Sequence, residues 1–311
     1  MTARDGYDAP NRMLPSRTIT TFLIALLCLI WGSTWIVIRW GLADLPPFGS
    51  AGVRFLIAAI LMSIVARVAR GREGGSAPPW WLSLALGSLN FGASYACVYW
   101  SETRLPSGLA SILWSIFPMS MALSGHVFLP GERLHAKQWL GFVAGFAGVV
   151  LLFANDLRAI GPEAVPAGLV LCLSPLAATI GTTLAKRHGQ RVSSLLLNRN
   201  GMWIGALLLC ALALLLERGT PAHWTPRAIA GVAYLAAFGT VLAFGLYFWL
   251  LRHVDAYRMS LISYITPAIA LFLGWLFGGE RITLTIVCGS ALILFGIVLV
   301  VRGRIQPSKK P

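Results

Sequence analysis

Two sets of aromatic and hydroxyl side chains recur along this chain at helical spacing. Phe91, Tyr95 and Tyr99 fall every four residues, with Glu102 beyond them on the same face. Ser107, Ser111, Trp114, Ser115 and Pro118 form a second stripe. Matching positions later in the chain hold Thr240, Phe244 and Phe248, then Ser260, Ser263, Tyr264 and Pro267. Spacings of three and four place each set along one side of a helix. Aromatic walls with a few hydroxyls suit the binding of a solute with both apolar and polar parts. Bond-breaking chemistry lacks its components. No nucleophile–base pair stands out, HExxH is absent, and so is the Walker A pattern that would mark ATP drive. No catalytic residue, cofactor or metal site is expected. The blander reading of the serines is helix packing, which small residues commonly mediate in membranes.

The elements that must carry these stripes are long and apolar. Of the 311 residues, 57% are hydrophobic and 12% charged, about half the charged share of a soluble domain. Apolar runs of about 18 or more residues recur, each enough to cross a hydrocarbon core about 30 Å thick. In lipid the backbone must satisfy its own polar groups, so spans are helices or closed barrels. Barrel strands would alternate in polarity, and these runs are apolar on all sides. The chain therefore reads as an all-α membrane protein of about ten transmembrane helices. Spans are predicted at 18–40, 47–68, 79–101, 105–128, 135–154, 164–186, 194–216, 226–250, 255–277 and 282–301. Pro46 and Pro47 open the second span, Pro78 and Pro79 the third and Pro106 the fourth, positions where a missing N–H costs least.

A formal charge of +14 could mark a nucleic-acid partner, but no basic patch is interleaved with a soluble fold. Topology accounts for it instead. With the N-terminus inside, 17 of the 25 lysines and arginines fall in cytoplasmic segments and six outside, while Arg54 and Arg199 lie within spans. That bias predicts a multi-pass protein of the cell inner membrane with both termini cytoplasmic. The basic flank before the first span lacks a clear cleavage site, so that span reads as uncleaved. Cys28, Cys97, Cys172, Cys210 and Cys288 lie singly in apolar runs, a pattern that predicts neither disulfides nor a metal.

The chain repeats itself. An offset of 149 pairs Ser111 with Ser260, Ser115 with Tyr264 and Pro118 with Pro267. After a one-residue gap, an offset of 148 pairs Glu132-Arg133 with Glu280-Arg281, Gly141 with Gly289 and Gly148 with Gly296. The predicted organisation is a cytoplasmic tail (1–17), a first five-helix repeat (18–155), a second (164–302) and a basic cytoplasmic tail (303–311). Five spans per half is an odd number, so the second half should be inverted, as in many secondary transporters.

Polar residues inside spans are costly unless they face protein or water. Arg54 either snorkels outward or faces the bundle, where it would hold helix termini or attract an anionic group. Asn90, Asn198, Arg199 and Asn200 pose the same question. Pro118 and Pro267 lie mid-span and free a backbone carbonyl, either as hinges or as fixed kinks. Glu132 and Glu280 precede the next helices and read as structural anchors. Gly141, Gly145 and Gly148 make a close-packing face, used within the protomer or in a homodimer. No acidic residue falls mid-span, so no coupling ion is visible.

These same residues carry a resemblance to the EamA-type transporters of the drug/metabolite transporter superfamily. The shared features are the WGSTW segment of the first span, Pro47 followed by Arg54-Phe55, and the Pro118…Gly-Glu-Arg block with its second copy. The resemblance covers roughly residues 20 to 302. It implies a ten-helix inverted repeat in a bacterial inner membrane, with peripheral fifth and tenth helices and a central cavity for small metabolites. Pro175 in the sixth span departs from the commoner pattern. Trp35, Arg54, Asn90, Phe91, Tyr95, Tyr99, Ser111, Trp114, Thr240, Phe244, Phe248, Ser260, Ser263 and Tyr264 are the cavity candidates, with Pro118 and Pro267 as hinges. The expected function is export or exchange of a small metabolite, amino-acid-like solute or drug, with the lipid bilayer as surroundings. The rival is a membrane-embedded enzyme acting on a lipid-linked substrate. A receptor or scaffold would leave the doubled stripes unexplained.

Overall fold

The computed structural model describes residues 17–128, 134–253 and 256–302, with the side chains of 17, 70–72, 248–249, 251–253, 256–261, 263–264 and 301–302 outside the description. Among these residues the regular structure is helical. The rods are α1 (Arg17–Leu42), α2 (Pro47–Glu73), α3 (80–102), α4 (107–128), α5 (136–160), α6 (Ala164–His188), α7 (Ser194–Leu216), α8 (226–253), α9 (Ala256–Gly278) and α10 (Leu284–Arg302). Seven of these helices are long and apolar enough to cross a membrane: α1, α2 and α4 through α8. In α9 and α10 the apolar described stretches are shorter, Ile265–Gly278 and Leu284–Val300. Rod α3 is diluted by Ser83, Ser88, Asn90, Ser94, Ser101 and Glu102.

Local chemistry explains where the rods begin. Pro47 and Pro226 are the first residues of α2 and α8. The Thr225 hydroxyl accepts the Ala228 N–H at 3.1 Å, and Ser193 accepts that of Leu196 at 3.2 Å. Both are N-caps that satisfy donors the helix cannot pair itself. Pro79 and Pro106 stand one residue before α3 and α4, in extended backbone. Interior breaks were not legible in the apolar pattern. Rods α3 and α8 each widen into a π-helical turn, at Gly87–Ala93 and Ala237–Leu242. Rod α4 opens between Trp114 and Phe117, just before Pro118. Rods α6 and α9 run unbroken through Pro175 and Pro267.

Rods α2 and α7 pack antiparallel and cap each other. Glu217, just beyond α7, accepts the Phe48 and Gly49 N–H groups at 2.7 Å each. Glu73, ending α2, accepts the N–H groups of Ser194 at 3.0 Å and Leu195 at 3.2 Å. Each carboxylate meets the unpaired amides and positive pole of the opposite helix. Rods α5 and α10 pair in the same sense. A Cβ on Gly141 would stand 2.6 Å from the Gly296 carbonyl, and one on Gly148 would stand 2.6 Å from that of Gly289. Gly145 lies against the Met119 thioether and beside Gly296. Only glycine permits such an approach, and this face is used within the chain. The outward faces of this pair expose Leu140, Val143, Phe146, Val287 and Phe295. Large exposed apolar surface on a helical bundle is what a lipid-facing side requires.

Candidate functional site

At the centre of the bundle lies a buried cation. The Arg54 side chain is 1% exposed and turns inward, so the snorkelling alternative does not hold. Its Nε donates to Thr240 Oγ1 at 3.1 Å and its Nη1 to the Tyr99 hydroxyl at 3.2 Å. Thr240 in turn donates to the Leu235 carbonyl five residues back, at 2.8 Å. That donation leaves its oxygen lone pairs to receive Arg54, and the π-helical turn of α8 sets the five-residue reach. The guanidinium carbon stands 4.9 Å from the Tyr95 ring centre and 5.5 Å from that of Phe55, both within cation–π range. Among the described residues no carboxylate forms an ion pair with Arg54. The charge is held by hydroxyls and ring faces drawn from both halves of the chain.

Rings extend from this point in a continuous ladder. Phe55 packs on Tyr95 at 4.6 Å and on Phe91 at 5.6 Å. Phe91 meets Phe244 at 5.5 Å, and Phe244 meets Trp31 at 5.8 Å. A second group lies between α1, α3, α4 and α6. Trp35 faces Trp114 at 6.4 Å, and Trp114 stacks on Phe117 at 5.1 Å across the break in α4. Trp114 Nε1 donates to Ser174 Oγ at 2.9 Å, and Ser174 shares a hydrogen bond with Ser94 at 2.8 Å. Ser174 is the residue before Pro175. Trp35, Phe55, Phe91 and Tyr99 are buried, while Trp31, Tyr95, Trp114, Phe117 and Phe244 keep part of their surface accessible. Two hollows that open to the surface, of about 520 and 490 Å³, are lined by Trp275 and Gly279 through Thr283, and by Thr18, Thr21, Phe22 and Ala25.

The remaining candidates divide. Arg54, Phe91, Tyr95, Tyr99, Thr240 and Phe244 come together, and Trp35 and Trp114 form the adjoining group. Ser111 is buried but donates to its own helix at the Gly108 carbonyl, 2.7 Å away, as Ser115 does to Ile112 at 2.6 Å. Asn90, next to Phe91 in sequence and so on another side of the rod, donates to Thr182 on α6 at 2.9 Å. The side chains of Phe248, Ser260, Ser263 and Tyr264 lie outside the described residues, as does all of Glu132. Asn200 donates to Ser83 at 3.3 Å and accepts from Arg199 at 2.8 Å, which ties α7 to α3.

Sequence reasoning passed over Trp31, Phe55 and Ser174. The signal for the first lay in the WGSTW segment, where Trp31 and Trp35 share a helix face at a spacing of four. It also placed Glu280 at the start of its own next helix. The carboxylate instead reaches α4, accepting the Ser107 N–H at 2.6 Å, the Ser107 hydroxyl at 2.7 Å and the Gly108 N–H at 2.9 Å. Arg39 Nε stands 3.9 Å from it, and Arg39 Nη1 donates to the Glu102 and Leu105 carbonyls at 3.1 and 2.5 Å. At this same end, in the α1–α2 turn, Asp44 accepts from Thr225 at 2.7 Å and from Arg227 at 3.2 Å. The Thr225 hydroxyl, and then Arg227, hold the Asp44 carboxyl below its usual range.

These features define a helical membrane protein assembled from a doubled unit, with a polar and aromatic centre shared between the halves. The chain belongs to the EamA-like transporter family, which matches it twice, over residues 18–154 and 166–302. It is 26% identical to the "Uncharacterized transporter YoaV" of Bacillus subtilis over 89% of this chain and 94% of that one. It is 29% identical to the "Uncharacterized inner membrane transporter YedA" of Escherichia coli K12, over 92% and 91%. The "Probable amino-acid metabolite efflux pump" of Salmonella typhimurium is 30% identical over 91% of this chain and 94% of its own. One crystal structure of a protein superposes with a TM-score of 0.65 at 24% identity, covering 91% of this chain and 96% of that one. That likeness speaks for the fold.

Proposed function

We propose that this protein is a secondary transporter that moves a small solute with apolar and polar parts across the bacterial inner membrane by alternating access. All ten rods cross the bilayer in this reading, as two inverted units of five with both termini cytoplasmic. Its support is the antiparallel run of corresponding rods, α2 against α7 and α5 against α10, together with the bias of lysine and arginine. The observation that carries the function is the junction at Arg54. A buried cation on the first unit is bound by Thr240 on the second, inside a wall of aromatic rings. That pair can part and re-form as the two units rock, and the freed guanidinium can meet an anionic group of the solute. Efflux of an amino-acid-like metabolite is the favoured direction and class, in line with the Salmonella relative's name. Pro118 and Pro267 are the hinge candidates.

Reconstitution into liposomes tests this reading. Labelled amino acids, sugars, nucleosides and cationic drugs should be screened, and one class should show saturable flux. Tyr99→Phe and Trp114→Ala should lower that flux by about tenfold or more, the equivalent of about 1.4 kcal/mol or more at the transition state. If no solute crosses while a lipid is chemically modified, the membrane-enzyme alternative takes its place.

A further inference from the structure

Glu102 is the most isolated acid among the described residues. It ends α3, is 1% exposed, and neither carboxyl oxygen meets a protein donor. Elsewhere in the bundle Glu73, Glu217 and Glu280 each accept backbone N–H groups at helix starts, a role Glu102 lacks. A carboxylate stripped of water with no hydrogen bond costs far more than the neutral acid in the same place. The form that fits this closed bundle is therefore protonated.

The surroundings of Glu102 give that proton a use. On α1, Arg39 binds the backbone carbonyl of Glu102 at 3.1 Å and stands 3.9 Å from Glu280, with its side chain 38% exposed. On α2, Arg54 reaches Tyr99, one turn before Glu102 on α3. From the α9–α10 turn, Glu280 lines a hollow of about 520 Å³ open to the surface. These three charges, Arg39, Arg54 and Glu280, are the ones that act on Glu102. Solvent thus reaches the Arg39 side chain, while the side chains of Glu280, 6% exposed, and Glu102 stay buried. Any motion that opens this end brings water to Glu102 and leaves Arg39 free to offset a negative charge there.

We propose that Glu102 is a proton-binding site that couples solute movement to the proton gradient. The inference rests on the transporter reading above and deepens it. While the bundle is closed the Glu102 O–H bond is intact. On opening, that bond breaks, the proton passes to water, and the carboxylate remains beside Arg39. In the coupled cycle the proton is released while the bundle is open to one face of the membrane and regained while it is open to the other, so each cycle carries one proton across. Lower pH favours the closed form, because the closed form binds the extra proton.

Infrared spectroscopy of the full chain in lipid nanodiscs tests the site without any solute. The wild type should show the C=O stretch of a buried carboxylic acid at neutral pH. Glu102→Gln should remove it, Glu102→Asp should shift it, and Asp156→Asn should leave it in place. Asp156 is the informative control, a buried acid with one oxygen bound by Thr283 and the other without a donor. A stretch unchanged by both Glu102 variants overturns the proposal. In liposomes loaded with the solute from the screen above, a gradient of one pH unit should drive accumulation of up to about tenfold for one proton. Glu102→Gln should abolish that accumulation, and Glu102→Asp should restore part of it with a shifted pH profile. Wild-type flux indifferent to the pH gradient also overturns it. If no solute moves at all, the transporter reading fails, and the infrared result alone decides whether Glu102 holds a proton.

Discussion

Rods α4 and α9 carry the same sequence pattern and adopt different shapes. Ser111, Ser115 and Pro118 in one correspond to Ser260, Tyr264 and Pro267 in the other. Yet α4 opens between Trp114 and Phe117, while α9 is one helix from Ala256 to Gly278. Both prolines remove an N–H, so the loss of a hydrogen bond does not by itself break the rod. The neighbours differ. In α9, Gly32 of α1 lies against Ile269 and within 3.3 Å, measured from an ideal Cβ, of the carbonyl just before Pro267. That close packing braces the helix at its weak point. In α4, Ser115 N–H is shared between the Ser111 and Ile112 carbonyls, at 3.1 Å each, and the break is spanned by the Trp114–Phe117 stack. A duplicated motif supplies two weak points, and tertiary packing decides which of them opens.

The largest effect expected on this contrast comes from Glu280→Ala. It strips the first turn of α4 of its acceptor and leaves the Ser107 and Gly108 amides unpaired. Buried donors without partners cost about 1–3 kcal/mol each, so a loss of about 2–4 kcal/mol should appear in thermal unfolding in detergent. A loss confined to a few tenths would mean that water replaces the carboxylate freely. Next comes Gly32→Ala, whose Cβ would stand 2.6 Å from Ile269. Overpacking of this kind costs about 1–3 kcal/mol, and it should loosen α9 at Pro267. Amide exchange across 265–270 should then rise while that across 112–117 stays the same. Equal change in both segments would remove the brace from the account.

Pro118→Ala acts on turnover more than on folding. Restoring the N–H should straighten α4 and lower flux by about tenfold, about 1.4 kcal/mol, with membrane insertion intact. Pro267→Ala, in a rod already continuous, should do less. Matching losses of flux and insertion would return both prolines to a fixed structural role. The smallest effect is electrostatic. Asp44 titrates below its ordinary value because of Thr225 and Arg227, so it stabilises the α1–α2 turn above about pH 4. That contribution fades as pH falls through its folded value. The difference in thermal midpoint between wild type and Asp44→Asn should be present at neutral pH and vanish in acid. A difference that persists in acid would point to packing instead of charge.

Most of the architecture was legible because lipid imposes a strong rule. Apolar runs, the prolines that open them and the doubled Pro…Gly-Glu-Arg block follow from what a bilayer-spanning backbone must satisfy, and those features are local in the chain. Half of the site was legible for the same reason, since Phe91, Tyr95 and Tyr99 at a spacing of four had to share a face. The rest depended on partners far away in sequence. Whether Arg54 turned outward or inward was settled by Thr240, 186 residues on. Asn90, a cavity candidate, meets Thr182, 92 residues on. Composition marks hydrophobic length and periodicity. It does not mark which glycine abuts which carbonyl, or which acid ends up without a donor. Glu280 as the cap of α4 and Glu102 as a buried acid emerge only when the rods are packed, because both depend on which charged and hydrogen-bonding groups the fold brings within about 3–4 Å.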